Sequence, residues 1–330
     1  MYFLYRPADL LATSLHDENI LSLTDWSVHS LVADLWLSFP CTSQISKSLT
    51  LSAPRQPQDS PERTGARTIA AIPADILDRL DRGEIETRTL VEWYAIDQRR
   101  LLQHVLPDLG LQSAAGNLLA AAEELAVASF TARLNGIARA LGGALHGRPD
   151  ESALFHHLAT HRSDIVRIWA CLALRHDPRP TVAERLEGTR PFAADRNMSV
   201  REFAIDVFRP LLLADLRPTL DLLLPWVHDP DPNIRRCAIE GSRPRGVWAA
   251  HILALKQDPA EALPLLEPVR ADPSRYAQNA VANWINDAAR TNSDCVVELC
   301  RRWQSESPSP ATAYIVRRGL RTLRKRGLRL

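Results

Sequence analysis

A short pattern that recurs at regular distances in the second half of the chain constrains the fold more than any other feature. An apolar residue is followed four places on by a small residue, and often directly by a basic one, at starts spaced by 34, 34, 42 and 39 residues: Val166, Val200, Ile234, Tyr276 and Ile315. Asp, Ser or Pro, which favour helix starts, precede each of them. The spacing predicts units of two helices, the second beginning just after the capping signal.

Units of this length resemble HEAT repeats, which stack helix pairs into a curved solenoid. Helical periodicity begins after Pro73, with Ile76, Leu77 and Leu80, and strand-like alternation is absent from there to the end. We therefore predict an all-α fold, a right-handed α-solenoid of HEAT-like helix pairs whose second helices line a concave face. Trp169 and Trp284 lie in apolar helix patterns and are predicted to be core residues.

The N-terminal segment differs from the repeats in amino-acid composition. From Thr42 to about Arg67 it is rich in Ser, Pro, Gln and Arg, a composition that buries too little apolar area to offset chain ordering. We predict an N-terminal extension and flexible linker over residues 1–67, with no assigned function, and a repeat domain over residues 68–330.

The composition indicates a folded protein of the cytoplasm. Apolar runs all fall short of the length that spans a bilayer, and the first residues lack the basic start of a secretory signal, so we expect no membrane association. The five cysteines are odd in number and lack zinc-ligand spacing, which favours free thiols and no bound metal. The net charge of +1 means that attraction to an anion depends on local patches.

The composition of residues 234–248 predicts a functional surface. This stretch holds Glu240, Trp248 and four arginines within fifteen residues, a mixture that is rarely buried without partners. From the residues alone, Glu202 and Glu240 are more often exposed helix residues or partners of nearby arginines. Asp287 is more often a polar residue at a helix end, and Trp248 a packing residue.

Three longer strings resemble the AlkC branch of the AlkD/AlkC DNA glycosylases. They are Val200-Arg201-Glu202-Phe203-Ala204, the segment from Ile239 to His251, and the segment from Ala271 to Asp287; Gly83 to Trp93 also looks like that family's N-terminal helices. The resemblance extends from about residue 68 to the C-terminus. It implies a HEAT-like solenoid that hydrolyses the N-glycosidic bond of cationic alkylated bases such as 3-methyladenine.

The resemblance also implies roles for particular residues. The family's pocket residues fall on Glu202, Glu240 and Asp287 as catalytic carboxylates and on Trp248 as a contact of the base. Neither a metal nor an organic cofactor is implied. The expected partner is double-stranded DNA containing alkylated bases, bound by a monomer.

The chemistry is suited to these residue types. A base alkylated on a ring nitrogen is already cationic, so the enzyme stabilises positive charge as it moves to the sugar, which carboxylates do well. Trp248 would add a cation–π contact with the base. Either Asp287 or Glu240 would position the attacking water, with Glu202 contributing mainly its field.

Basic and polar residues of the repeat domain are candidates for contacts with DNA phosphates. They are Arg243, Arg245, Lys256, Arg275, Gln278, Asn279, Arg301, Arg302, Arg317 and Arg318. The C-terminal stretch is the stronger signal, because seven cations follow Glu306 without an acid: Arg317, Arg318, Arg321, Arg324, Lys325, Arg326 and Arg329.

Two other functions remain open at this point. A catalytically inactive HEAT scaffold that binds DNA or protein would bind DNA regardless of lesions. A nuclease or lyase would need metal ligands or an activated lysine, and Lys256 is the only lysine between residues 68 and 324.

Overall fold

The computed structural model describes residues 63–246 and 249–327, which form α-helices and short 3₁₀ segments without any strand. The α-helices are α1 Ala74–Asp81, α2 Leu90–Ala95, α3 Gln98–Asp108, α4 Ala115–Glu124, α5 Phe130–Leu145, α6 Glu151–Ala159, α7 Asp164–His176, α8 Val182–Ala193, α9 Met198–Ala214, α10 Leu216–Leu223, α11 Pro232–Gly241, α12 Leu253–Gln257, α13 Leu263–Leu266, α14 Arg275–Ala288, α15 Ser293–Glu306, α16 Pro310–Gly319 and α17 Arg321–Lys325. The 3₁₀ segments are Ile69–Ala71, Gln112–Ala114, Leu224–His228, Pro259–Ala262 and Glu267–Val269.

The helices are stacked in pairs. We call one helix of each pair the inner helix, because it packs against its counterpart in the next pair. The inner helices are α7, α9, α11, α14 and α16, which pack side by side in that order, and α5 packs against α7. Helices α6, α8, α10 and α15 each pack on the inner helix that follows or precedes them in their pair. The predicted all-α class and stacked helix pairs are confirmed, whereas the right-handed sense of the stack stays a prediction.

Each inner helix begins at the capping signal found in the sequence. The N-cap residues are Ser163, Asn197, Asp231, Ser274 and Ser309. In three of the five the side chain accepts a hydrogen bond from a first-turn amide, at 2.9 Å for Asn197, 2.8 Å for Asp231 and 3.1 Å for Ser309. These bonds satisfy amides that a helix start leaves without partners.

The N-caps correct the predicted repeat register. They are spaced by 34, 34, 43 and 35 residues (163 to 197, 231, 274 and 309), whereas the sequence pattern gave 42 and 39 for the last two intervals. Val166, Val200 and Ile234 each lie three residues after an N-cap. The prediction was wrong for the last two units because Tyr276 lies two residues after its N-cap and Ile315 lies six residues after its own. Ala277 and Thr312 occupy the position of Ile234.

A repeated arginine fixes this register. Arg167, Arg201 and Arg235 each lie four residues after an N-cap, and the Nη1 group of each donates to the carbonyl oxygen six residues earlier, at 2.7, 2.6 and 2.8 Å. Arg167 and Arg235 also pair with an aspartate that precedes the next inner helix, Asp195 at 2.7 Å and Asp272 at 2.6 Å. In these two units one arginine side chain therefore ties the loop before its own helix to the loop before the next inner helix.

Apolar burial supplies the rest of the packing. Trp169 and Trp284 are fully buried, as predicted, and Trp303 joins them. Cys171, Cys237, Cys295 and Cys300 are free thiols, and Cys41 lies outside the described residues. Within the described residues, every helix is too short or too polar to cross a membrane.

The last residues of the predicted linker belong to the folded domain. The buried carboxylate of Glu92 accepts hydrogen bonds from Arg63 at 3.0 Å, from the Ala66 amide at 3.1 Å and from the Arg88 amide at 2.8 Å. Thr89 donates to the Ala66 carbonyl at 2.8 Å. A boundary after residue 67 therefore cuts through these contacts, while residues 1–62 lie outside the described part of the chain and their role as an extension stays a prediction.

Two truncations test this boundary. Removing residues 1–62 should leave the free energy of unfolding unchanged, whereas removing residues 1–67 should lower it by about 3–5 kcal/mol, because Glu92 is left buried without its cation. Although burial raises it, the hydrogen bonds of Arg63 and the two amides hold the pKa of Glu92 below its usual value. The stability difference should therefore be present at neutral pH and disappear in acid, as measured by thermal unfolding; equal stability of both truncations at pH 7 would contradict it.

Candidate active site

Three rows of polar residues run across four of the inner helices. Positions five, nine and twelve residues after an N-cap share one helix face because of the 3.6-residue turn. For α9, α11, α14 and α16 the first position is Glu202, Arg236, Asn279 and Tyr314, and the second is Asp206, Glu240, Asn283 and Arg318. The third position is Arg209 in α9, Arg243 in the loop after α11, Asn286 in α14 and Arg321 at the start of α17. We call these twelve residues the polar face.

Contacts between neighbouring helices support the first row. Arg236 pairs with Glu202 at 2.5 Å, and the Tyr314 hydroxyl donates to Asn279 Oδ1 at 2.7 Å. In α7 the first two equivalent positions are the buried Ile168 and Leu172. The polar face therefore begins at α9.

Glu202 lies at the open side of this face, with a side chain that is 45% exposed. Its partner Arg236 stacks on the ring of Tyr276, 4.9 Å from the ring centroid, and Arg201 lies over the same ring at 5.4 Å. Burial opposes the charge of Arg236, but Glu202 and Glu240 hold the pKa of this guanidinium above its ordinary value. Glu202 is therefore held in place by a cation that is itself stacked.

Glu240 and Asp287 share one arginine. Arg243 donates from Nε to Asp287 Oδ2 at 2.8 Å, places Nη2 2.7 Å from the same oxygen, and pairs through Nη1 with Glu240 Oε1. Burial raises the pKa of Asp287, and Arg243 opposes that rise. Glu240 Oε2 and Asp287 Oδ1 accept no hydrogen bond from any residue that the structure describes, so each carboxylate keeps one oxygen for another partner.

Arg209 holds the loop after α11 through hydrogen bonds to backbone carbonyls. The Nη1 group of Arg209 donates to the Gly241 carbonyl at 2.7 Å, and its Nη2 group donates to the carbonyls of Arg243 at 3.0 Å and Ala250 at 2.7 Å. Gly241 is required here, because a Cβ atom at this position would lie 2.3 Å from the ring of Phe208. The backbone that carries Arg243 is thus fixed, while Trp248, the predicted base contact, lies outside the described residues.

Asp206 is a candidate that the sequence analysis missed. It is partly buried on α9, one turn after Glu202, and makes no ion pair or hydrogen bond with any described side chain. Burial raises its pKa, as does Glu202, whereas Arg175 and Arg209 lower it. The signal was available, because Asp206 lies 34 residues before Glu240, one repeat interval.

Two of the predicted phosphate contacts do not fit their positions. Arg243 is buried between two carboxylates, as described above. Gln278 is 5% exposed, and its Nε2 group donates to the Asp272 carbonyl six residues earlier at 2.7 Å. It therefore takes the place of the repeated arginine in its unit, and neither side chain is presented to a ligand.

The other candidates lie at the surface, but only some lie together. Arg275 and Arg317 are exposed and Asn279 is partly exposed, and all three contact Tyr314. Arg318, partly exposed, belongs to the polar face one turn further along α16. No contact between described residues links Arg245, Lys256 or Arg301 to this group, and Arg302 pairs with Glu267 and Glu306.

Cavities and metal-ligand geometry do not point to another site. Across residues 63–246 and 249–327, no three His, Cys, Asp or Glu side chains are grouped to hold a metal ion. A surface cavity of about 400 Å³ is lined by residues that include Asp229, Arg235, Glu267 and Asp272, and a smaller one by Arg88, Leu90, Arg196 and Met198 among others. The larger cavity lies among the loops that Arg235 contacts. Neither cavity is lined by a carboxylate of the polar face.

Comparison with known proteins places this architecture. The chain is similar to the structure of Pseudomonas fluorescens alkylpurine DNA glycosylase AlkC bound to DNA containing an abasic site analog, with 29% identity and a TM-score of 0.59, over 70% of this chain and 63% of that one. It is also similar to AlkD2 from Streptococcus mutans, at 17% identity and a TM-score of 0.48, over 63% and 97% of the two chains. Only the AlkC likeness bears on function.

Sequence comparison adds one relative. YhaZ of Bacillus subtilis (strain 168) is 39% identical over 129 residues, which are 39% of this chain and 35% of YhaZ. No family model matches the chain. The chain thus spans about a third of YhaZ and 63% of the AlkC chain.

Stacked helix pairs with acidic groups on successive inner helices define the class as a helical-repeat protein with a polar inner face. Within that class, the chain is AlkC-like.

Proposed function

We propose that this chain is a DNA glycosylase that hydrolyses the N-glycosidic bond of cationic alkylated bases, such as 3-methyladenine, in double-stranded DNA. The observation that carries the proposal is the set of four carboxylates on three successive inner helices: Glu202, Asp206, Glu240 and Asp287. The likeness to AlkC supports the same reaction.

The carboxylates act on charge that develops as the bond breaks. The alkylated base leaves as a neutral molecule while positive charge moves to the deoxyribose, and nearby anionic oxygens stabilise that oxocarbenium-like centre. A charge pair at about 4 Å contributes roughly 4 kcal/mol at an effective dielectric constant of 20, or about a thousandfold in rate if it forms only in the transition state. An uncharged normal base would gain less.

The arginines keep these carboxylates in position. Arg243 and Arg236 each hold one oxygen of their carboxylate partners, and the partners' other oxygens remain available to the sugar or to the attacking water. Asp287 is the better candidate to accept a proton from water, because burial raises its pKa and Oδ1 is unoccupied among the described contacts. No step needs a metal ion.

Base release tests the proposal directly. Purified full-length chain is incubated with methylated duplex DNA in EDTA, and free 3-methyladenine and abasic sites are quantified by mass spectrometry. We expect both products in equal amounts, without strand cleavage beyond that of heat-treated abasic DNA. Folded protein that releases no base would contradict the proposal, and metal-dependent cleavage would indicate a nuclease instead.

Asp206→Asn measures the contribution of the carboxylate that pairs with no described side chain. We expect the single-turnover rate of base release to fall about 10- to 100-fold, which corresponds to roughly 1.4–2.7 kcal/mol of lost transition-state stabilisation. Asp215→Asn, at the end of the same helix, is the matched control and should keep the wild-type rate. A rate for Asp206→Asn that is within twofold of wild type would remove Asp206 from the mechanism.

The ion pairs also support one alternative, a catalytically inactive scaffold that binds DNA. In that case the arginines would neutralise the carboxylates, and the pairs would serve only stability. Such a protein would bind methylated and unmethylated duplexes equally and release no base from either. The two proposals therefore differ in one assay.

A further inference from the structure

We propose that Tyr314 positions Arg275, Asn279 and Arg317 as one binding site for a DNA backbone phosphate. The proposal rests on the proposed function only in taking duplex DNA as the ligand. Tyr314 would be a positioning residue, and the other three would contact the phosphate oxygens.

The tyrosine touches each member of the site. The guanidinium carbon of Arg275 lies 3.6 Å from the centroid of the Tyr314 ring, and that of Arg317 lies 5.7 Å from it. The Tyr314 hydroxyl donates to Asn279 Oδ1 at 2.7 Å. One side chain on α16 thus organises two residues of α14 and one of its own helix.

These contacts leave the donors of the three residues available. A guanidinium held over an aromatic ring keeps its N–H groups directed outward in its own plane. Because Oδ1 of Asn279 is used by Tyr314, the Nδ2 group is the part of this amide that can donate to a ligand. The site therefore offers two cations and one neutral donor, a combination that suits an anion with several acceptor oxygens.

The local charge favours an anion from outside the protein. Neither Arg275 nor Arg317 has a carboxylate within ion-pair distance among the residues that the structure describes, although both are exposed. Some other exposed arginines of the described chain, such as Arg99 and Arg217, do pair with an acid. The sequence contains no acid after Glu306, so the neighbouring residues of α16 and α17 strengthen the positive potential.

The position relative to the carboxylates fits a continuous strand of DNA. Asn279 belongs to the same row of the polar face as Glu202 and Arg236, and Asp287 lies eight residues further along α14. Eight residues of helix span about 12 Å, or roughly three to four nucleotide steps at 3.4 Å each. A phosphate bound at Tyr314 would therefore lie a few nucleotides from the base at the carboxylates.

Salt-dependent binding to an undamaged duplex tests this site. The affinity of the full chain for a fluorescent 20-base-pair duplex is measured between 50 and 300 mM KCl for each variant, alongside thermal unfolding. We expect Arg275→Ala and Arg317→Ala each to reduce the slope of log K against log salt by about 0.9. We expect Tyr314→Leu to weaken binding about 10-fold at low salt, and Tyr314→Phe, which keeps the ring, about 2- to 4-fold.

A double-variant measurement separates positioning from general stability. If Tyr314 acts through the arginines, Tyr314→Leu should weaken binding much less in an Arg275→Ala, Arg317→Ala background than in the wild type. Arg217→Ala, which removes an exposed arginine from the outer helix α10, is the control and should leave the slope unchanged. An equal effect of Tyr314→Leu in both backgrounds, or slopes unaffected by the arginine variants, would overturn the proposal.

Base release by the same proteins distinguishes this proposal from the proposed function. If the variants show the expected salt slopes but the wild-type chain releases no base, the phosphate-site proposal stands and the glycosylase proposal is contradicted. If the wild-type chain releases base but substitutions of Arg275, Arg317 and Tyr314 leave DNA binding unchanged, the glycosylase proposal stands and the phosphate-site proposal is contradicted.

Discussion

Asp287→Asn is expected to lower the single-turnover rate of base release by about 100- to 1,000-fold, the largest loss among single substitutions in the polar face. The change removes one negative charge from a buried position and keeps the size of the side chain. A carboxylate acting at about 4 Å on the developing sugar cation contributes roughly 4 kcal/mol, so most of that stabilisation is lost with the charge. Affinity for undamaged duplex should remain within about twofold, since Asp287 contacts no phosphate in the proposed mechanism.

Asp294→Asn is the matched control for this prediction. Asp294 is an exposed residue in the first turn of the outer helix α15, so the same chemical change there should leave the rate unaltered. A rate for Asp287→Asn within threefold of wild type would contradict a catalytic role for this carboxylate. Loss of DNA affinity together with the rate would instead indicate that the substitution damages the fold.

The helix starts could be predicted from the sequence because they depend on local chemistry. Asp231 followed by Pro232, and Ser309 followed by Pro310, place a side-chain acceptor and a fixed backbone angle next to the residues they cap. The structure begins α11 and α16 at those prolines. The fold class follows, because five such starts with helical periodicity leave no room for strands.

The repeat register was harder to predict because it depends on packing between units. Tyr276 resembles Ile234 as a large apolar residue, yet its ring lies under two arginines of neighbouring units, and Ala277 fills the core position. The error of one residue misplaced Gln278, which was predicted to reach phosphate and is instead bonded to the backbone. Asp206 was missed for another reason, since it lies in a unit whose register was correct but outside the string Val200 to Ala204 that carries the family resemblance.

The residues alone suggested that Glu202 and Glu240 pair with nearby arginines, as they do, but not which arginines form the pairs. Arg243 and Arg245 lie in the same string and have the same chemistry, but only Arg243 turns inward to join Glu240 and Asp287. That choice depends on a loop held by Arg209, which lies more than thirty residues away, through its bonds to Gly241 and Ala250. A resemblance between strings predicts roles for the carboxylates, but it does not say which arginines pair with them.

Arg243→Met is expected to lower the free energy of unfolding by about 3–5 kcal/mol at pH 7.5, because it leaves two neighbouring, largely buried carboxylates without their shared cation. Arg217→Met on the outer helix α10 removes an arginine whose side chain is 61% exposed, and it should cost less than about 0.5 kcal/mol. Chemical denaturation of both variants at several pH values provides the measurement.

The unfolding free energy of Arg243→Met should also depend on pH. Burial already raises the pKa of Asp287 in the folded wild type, and Arg243 opposes the rise, so removing Arg243 should raise that pKa further. Between the ordinary carboxyl pKa, about 4, and the raised value, the folded variant holds a proton that the unfolded chain has released. Its stability should therefore increase as the pH falls from 7.5 towards 5, narrowing the gap to wild type, which retains the ion pairs. A stability deficit that stays constant over this range would mean that Arg243 contributes packing rather than charge, and the carboxylates would then need another explanation for their convergence.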